Sequence, residues 1–313
     1  MKLVTFEAGG RLSIGAVEGE QIAVLSGAPE FASMQALIES GEAGLTAARA
    51  ALPGSRRVAL NEVRLRAPLP VPIQMRDALC FEQHLRQARA NRHLFGRAPA
   101  RIDPADVEVP DLWYRRPVYY TANRFAVCGP DDKIPWPWDE TCLDYELEMA
   151  CVLGRSGRDI SVADAPAHVF GYMIFNDFSA RDTQMAEMAV GLGTSKAKDW
   201  DGANAMGPWL VTADEVDPAA GLSMRAWVNG DLWSEGQSDT MHHDFADVIA
   251  FVSHAQTLHA GEVLCSGTVG NGCGLELGRF LSPGDVVELE IEGLGRLRNT
   301  IGQPCAGLRM AMK

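Results

Sequence analysis

Residues 143–154, Leu-Asp-Tyr-Glu-Leu-Glu-Met-Ala-Cys-Val-Leu-Gly, constrain this chain more than any other stretch. They read as a β-strand. Side chains in a strand alternate between faces, so Asp144, Glu146 and Glu148 point one way. Tyr145, Leu147, Met149 and Cys151 point the other way. Three carboxylates along one face repel each other unless water or a cation screens them. A second segment, Phe170–Asp177, is a nearly continuous apolar run that ends in Asn176-Asp177. A buried strand that ends in a carboxylate can aim that acid into a site. Hard divalent cations such as Mg²⁺ and Ca²⁺ take such oxygen ligands. The alternation alone also fits an ordinary half-buried strand with Glu146 and Glu148 on its wet face.

With 313 residues the chain can form one large domain, or a large and a small one. Its apolar fraction of 47% supplies a sizeable core. The formal net charge of −13 argues against nucleic acid and anionic membrane as partners. Arg86, Arg89 and Arg92 still form a local basic group. The first seven residues lack the apolar core of a signal peptide. No run approaches the roughly 20 apolar residues that span a bilayer. The seven cysteines (80, 128, 142, 151, 265, 273 and 305) include no C-x-x-C pair. This spacing argues against a zinc knuckle or a disulfide framework and fits a reducing cytoplasm.

Along the chain, Leu3–Phe6, Leu12–Val17 and Gln21–Leu25 read as short strands joined by glycine turns. A helical pattern runs from Phe31 to Leu52, with breaks expected at Gly41 and Gly44. Val58–Leu65 reads as a strand. Pro68, Pro70 and Pro72 mark a linker, which places a domain boundary near residue 70. Phe81–Leu94 reads as a helix, and Gly96–Pro110 as a long proline-bearing loop that could act as a lid. Trp113–Val127 reads as extended. From residue 205 the pattern is almost all β, apart from one helix over Phe245–Thr257. Asn229-Gly230 between Met224–Val228 and Leu232-Trp233 is the strongest hairpin signal. Gly261–Cys265 and Leu275–Leu277 flank a glycine-rich loop.

Four motifs together resemble the fumarylacetoacetate hydrolase family. They are Asp144-Tyr145-Glu146-Leu147-Glu148, Gly171-Tyr172 through Asn176-Asp177 to Arg181-Asp182, Gly207-Pro208-Trp209, and Ser266-Gly267-Thr268. The similarity runs from about residue 73 to the C-terminus. It implies a mostly β (α+β) fold. A rolled β-sheet catalytic domain, residues 71–313, would surround a divalent metal, usually in a homodimer. Residues 1–70 would form a small N-terminal β-rich domain. The resemblance is closest to the fumarylacetoacetases and their bacterial relatives. It implies Asp77, Glu146, Glu148 and Asp177 as metal ligands, with Mg²⁺ first and Mn²⁺ or Ca²⁺ as alternatives. It implies His84 as general base and Glu276 as the carboxylate that orients it. Shorter relatives place that acid three residues after the histidine, where this chain has Gln87. Lys198 matches the family lysine beside the metal. Gln184 and Thr268 match substrate-contacting residues. Arg181-Asp182 reads equally well as a structural ion pair. Two expected tyrosines are Leu79 and Met188 here, so the pocket walls differ from those of fumarylacetoacetase.

These parts imply a metal-dependent hydrolase that cleaves a carbon–carbon bond in a diketo acid or acylpyruvate, in aromatic or related catabolism. A hydratase, isomerase or decarboxylase of a 2-oxo acid is the first alternative, since the same scaffold serves them. A metal-stabilised binding protein without turnover is the second. The expected partner is a small molecule, and the expected location the cytoplasm.

Overall fold

The computed structural model describes residues 1–304. Cys305 lies outside the described residues. The fold is the rolled-sheet architecture expected from the sequence. Its larger sheet runs, strand by strand, Arg57–Ala59, Gln21–Leu25, Arg11–Glu18, Lys2–Ala8, Asn204–Thr212, Val169–Asp177, Leu147–Leu153, Val263–Cys265, Met75–Ala78 and Tyr119–Ala122. A five-stranded sheet, Asp231–Gln237, Ser223–Val228, Val286–Ile291, Gly295–Ile301 and Lys133–Ile134, packs against it. The expected hairpin is present, and Asn229 and Gly230 turn it with φ of 53° and 86°.

The acidic strand is covered on both faces. Leu147, Met149, Cys151 and Leu153 enter the core between the two sheets. Ala150 and Val152, in register with Glu148, enter a second core with Leu37, Ile38 and Leu45 of the N-terminal helices. The half-buried reading of this strand is therefore wrong. Helices close the side that alternation alone leaves open over Ala150 and Val152, and Glu146 and Glu148 line a cavity instead of an open wet face.

The expected boundary near residue 70 falls within a continuous sheet. Lys2 and Leu3 pair with Val211 and Leu210 of the Asn204–Thr212 strand. Leu3, Ile14 and Leu25 share a core with Ala150, Phe175 and Leu210.

Several elements differ locally from expectation. The 31–52 pattern is two helices, Met34–Glu39 and Gly41–Ala51, divided only at Gly41 with φ of 57°. Gly44 lies inside the second helix rather than breaking it. Val58–Leu65 is split by a 3₁₀ turn at Leu60–Glu62. The helix at 81 ends at Ala90 and is followed by a 3₁₀ turn, Arg92–Phe95. Trp113 sits in a short helix, Asp111–Arg115, ended by extended Arg116 before Pro117. Tyr119–Ala122 of that stretch is a strand, and Val127 begins a second, Val127–Cys128. The helix at 245 ends at Ser253, and Thr257-Leu258 is extended. Gly274–Leu277 is a helical turn, not a strand.

One buried ion pair fixes the sheet where the site begins. The strands Met75–Ala78 and Val263–Cys265 run parallel, with Asp77 opposite Cys265. At their entry Arg76 donates to Glu262, and both side chains are buried. Removing one partner leaves a buried charge unpaired, which costs about 3–5 kcal/mol. Glu262→Ala is therefore expected to lower unfolding free energy by about that amount in urea denaturation. An unchanged midpoint would contradict this role.

Candidate active site

Strand ends bring four acids to one place. Asp77 comes from Met75–Ala78, Asp177 from the last residue of Val169–Asp177, and Glu148 from the acidic strand. Glu146 stands just before that strand, where the backbone breaks between Leu143–Asp144 and Leu147–Leu153. All four side chains are buried. Oxygens of Glu146, Glu148 and Asp177 lie within 4.8 Å of one another, and Asp77 joins through Glu148 at the same spacing. Burial, and then the Asp177 charge, push the Asp77 carboxyl well above the usual range. Burial, and then Asp77, do the same to Glu148. Burial raises Asp177 as well, against the pull of Lys198. For Glu146 burial acts upward too, but Lys198 and Arg181 outweigh it and hold the carboxyl well below its ordinary value.

Two cations sit within the cluster. Lys198 Nζ donates to both Glu146 and Asp177. Burial favours its neutral form, yet Asp177 and Glu146 prevail and keep it protonated. Arg181 donates to Asp144 at 2.9 Å and to Glu146 at 2.7 Å. The Arg181-Asp182 ion pair considered from the sequence does not form, because Asp182 instead accepts from Thr141. Tyr120 O–H donates to Asp177 at 2.7 Å, and Gly267 N–H to Asp77 at 3.1 Å. Gly267 sits at φ of 75°, where an added Cβ would lie 2.3 Å from the Ala78 carbonyl oxygen. That close approach seats the glycine loop on the Asp77 strand.

Two acceptors in the cluster, Glu148 Oε2 and Asp177 Oδ1, are buried without a hydrogen-bond partner among the described residues. Buried orphan oxygens are costly. An all-oxygen set with two free acceptors fits a hard divalent cation held by Asp77, Glu146, Glu148 and Asp177.

The base candidate stands beside this cluster. His84, on the helix Glu82–Ala90, places Nδ1 3.0 Å from Glu276 Oε1. Glu276 Oε2 accepts from the Cys273 N–H at 3.1 Å. Asn91 Nδ2 donates to the carbonyls of Leu275 and Glu276, which ties the two helical segments together. Gln87 does not approach the pair. It bonds Asn271 in the glycine loop through both amide atoms.

His84, Lys198, Gln184, Thr268 and three of the acids, Asp77, Glu146 and Glu148, line one cavity of about 400 Å³. Gln184 accepts from Arg181 at 2.8 Å, and the Thr268 hydroxyl donates to Glu148 at 3.3 Å. Leu79 and Met188 form apolar wall where tyrosines were expected. The 96–110 loop does not line the cavity. Arg86 and Arg89 pin it through the carbonyls of Val107 and Glu108. Met188, Leu192, Gly193 and Thr194 line the cavity instead. A larger groove of about 980 Å³ lies elsewhere, among Glu39, Arg49, Arg155 and Asp214, and includes none of the four acids.

Sequence reasoning missed the part played by Asp144 and Arg181. Asp144 accepts from Arg181 and from the N–H groups of Gly274 and Leu275, at 2.7 and 2.9 Å. It thus joins the acid cluster to the turn that carries Glu276. The signal available was its i, i+2 spacing from Glu146, which calls for a cation between the two.

The sequence profile of the fumarylacetoacetate (FAA) hydrolase C-terminal domain matches residues 74–302. This chain belongs to the fumarylacetoacetate hydrolase family. Residues 1–68 match a second profile, Rv2993c-like, N-terminal. We propose that residues 1–70 and 71–313 are two units that share one sheet. Oxaloacetate tautomerase YisK of Bacillus subtilis is 33% identical over 251 residues, which is 80% of this chain and 76% of that protein. The fumarylacetoacetate hydrolase of Exiguobacterium antarcticum superposes with a TM-score of 0.76 at 29% identity, over 96% of this chain and 99% of that one. Maleylpyruvate hydrolase from Sphingobium sp. SYK-6, in complex with manganese(II) and pyruvate, superposes with a TM-score of 0.75 at 25% identity, over 97% and 100%. The family thus includes hydrolases and tautomerases that bind small molecules, and a relative with a divalent cation. Among the described residues no helix is long and apolar enough to cross a membrane.

Glu148→Gln is expected to abolish tight Mn²⁺ binding in calorimetry while the protein stays folded. Wild-type affinity in that variant would remove Glu148 from the ligand set.

Proposed function

We propose that this chain is a divalent-metal-dependent enzyme that moves a proton next to the carbonyl of a 2-oxo diacid, with tautomerisation or isomerisation as the overall reaction. The observation that carries this reading is the His84–Glu276 pair, 3.0 Å apart, with His84 facing the same cavity as Lys198 and the acids Asp77, Glu146 and Glu148. The likeness to an oxaloacetate tautomerase supports it.

When bound by Asp77, Glu146, Glu148 and Asp177, the cation supplies Lewis acidity toward a 2-oxo acid. Mg²⁺ is the first choice and Mn²⁺ or Ca²⁺ the alternatives. His84 accepts the proton from the carbon beside the carbonyl. Glu276 holds the ring in place and stabilises the imidazolium. The buried Lys198 ammonium faces the oxygen on which negative charge develops. His84 then returns the proton to oxygen or to another carbon. Gln184 and Thr268 contact the substrate. Arg89 and Arg92 also line the cavity. The Nε of Arg89 is buried without a partner among the described residues, and burial and then Arg92 lower the pKa of its guanidinium. A second substrate carboxylate would relieve both conditions.

A second reading is hydrolysis of a carbon–carbon bond in a diketo acid or acylpyruvate, with His84 activating water. The observation that favours it is the origin of the orienting acid. Glu276 comes from the turn after the glycine loop, the arrangement that resemblance to the fumarylacetoacetases implies, while Gln87 is engaged elsewhere. In both readings the enzyme is a cytoplasmic homodimer. Product analysis separates them: tautomerisation or isomerisation conserves the substrate's mass, whereas hydrolysis yields two acids.

His84→Ala is expected to keep Mn²⁺ affinity while turnover falls by ~10²–10⁴. Glu276→Gln should move the same way, and the double variant should be little worse than the poorer single, since groups acting as one unit are not additive. Loss of the cation in His84→Ala would make His84 a ligand. Retention of both cation and rate would place the base elsewhere.

A further inference from the structure

We propose a second metal site, inhibitory and centred on the base: a borderline-soft divalent cation of the zinc class, captured by His84, Cys273 and Glu276. These three residues offer an imidazole nitrogen, a thiol sulfur and a carboxylate oxygen within 4.8 Å of one another, and all three are buried. This mixed donor set is the kind Zn²⁺ takes, at about 2.0–2.3 Å from each ligand atom. The neighbouring acid cluster offers oxygen for a hard cation. Two donor sets that sort cations by softness therefore stand side by side, and His84 connects the second to the cavity.

The ligands are held together before any ion arrives. Cys273 and Glu276 form the two ends of a capping box on the turn Gly274–Leu277. The Cys273 sulfur accepts the Glu276 amide, and the Glu276 carboxylate accepts the Cys273 amide. Asn91 fixes that turn to the helix bearing His84. His84 lines the cavity and gives the ion its entry.

Capture balances as follows. The Cys273 thiol loses its proton to solvent and binds as thiolate. Glu276 binds as carboxylate, and together they neutralise the dication. His84 binds through one ring nitrogen and keeps its single proton on the other. One proton is released per ion, and a cavity water can complete the tetrahedron. The nitrogen lone pair is then unavailable to accept a substrate proton, a consequence that rests on His84 being the base.

The test uses the full chain saturated with Mg²⁺ to fill the acid cluster, and Co²⁺ as the optical probe. Wild-type protein should show a thiolate-to-cobalt charge-transfer band that Zn²⁺ displaces. Cys273→Ser should lack the band, because serine preserves the cap but removes the soft ligand. Cys265→Ser should retain it, although Cys265 also lies near two acids, Asp77 and Glu148. Zn²⁺ should inhibit turnover in Mg²⁺-saturated wild type, and Cys273→Ser should need at least about tenfold more. Even an outer-shell partner is worth about 10- to 100-fold in metal affinity.

Absence of the band, or a band that survives in Cys273→Ser or vanishes in Cys265→Ser, would overturn the site. These optical outcomes do not involve turnover, so they fail separately from the functional assignment of His84. A band without inhibition would overturn the inhibitory claim and that assignment with it. X-ray absorption of zinc-loaded wild type reads the site without any variant. A shell with one sulfur and one imidazole supports it, and a shell lacking either contradicts it.

Discussion

Buried negative charge is the constraint on which the rest of this structure depends. Asp77, Asp144, Glu146, Glu148 and Asp177 all sit inside the fold, with Arg181 and Lys198 their paired cations among the described residues. Taking an ion out of water costs several kcal/mol even after relaxation. Two cores pressed on the two faces of one strand keep water away and impose that cost. The compensation is local and incomplete. Glu146 is the best satisfied and holds its charge most firmly, whereas Asp77 and Glu148 are pushed toward protonation. A cation completes this balance, so the demand for metal is built into the packing.

Asp144 makes the arrangement one site instead of two. Its carboxylate takes Arg181 on one side and the amides of Gly274 and Leu275 on the other. Through Arg181 it sets Glu146, and through the helical turn it sets Glu276 and hence His84. The proposed base and the acid cluster are thus referenced to a single buried carboxylate. Catalysis by proximity requires that kind of shared frame, because small misplacements cost much of the rate.

The alternation of acids and the Asn-Asp strand end were legible in the sequence because both follow from local strand geometry. Asp144 shared their parity, but its partner Arg181 lies 37 positions away and a carboxylate neighbour at Asp182 offered a nearer and false pairing. Both faces of the acidic strand proved buried because residues 31–51 supply helices to cover it, and no pattern within the strand itself carries that information. The turn at 274–277 was missed for a similar reason. Its four residues are too few for a helical period, and its cap is a cysteine rather than one of the usual oxygen-bearing residues. The continuity of the N-terminal strands with the main sheet rests on two residue pairs, Lys2 with Val211 and Leu3 with Leu210, and nothing local in either segment points to the other.

The central claim is that the buried carboxylates are completed by one hard divalent cation. Crystals grown with Mn²⁺ and measured at its absorption edge would test it most directly. The account predicts one anomalous peak against Glu148 Oε2 and Asp177 Oδ1, the two oxygens now without partners. A fully occupied Lys198 ammonium in that position, with no peak among Asp77, Glu146, Glu148 and Asp177 at saturating Mn²⁺, would contradict it.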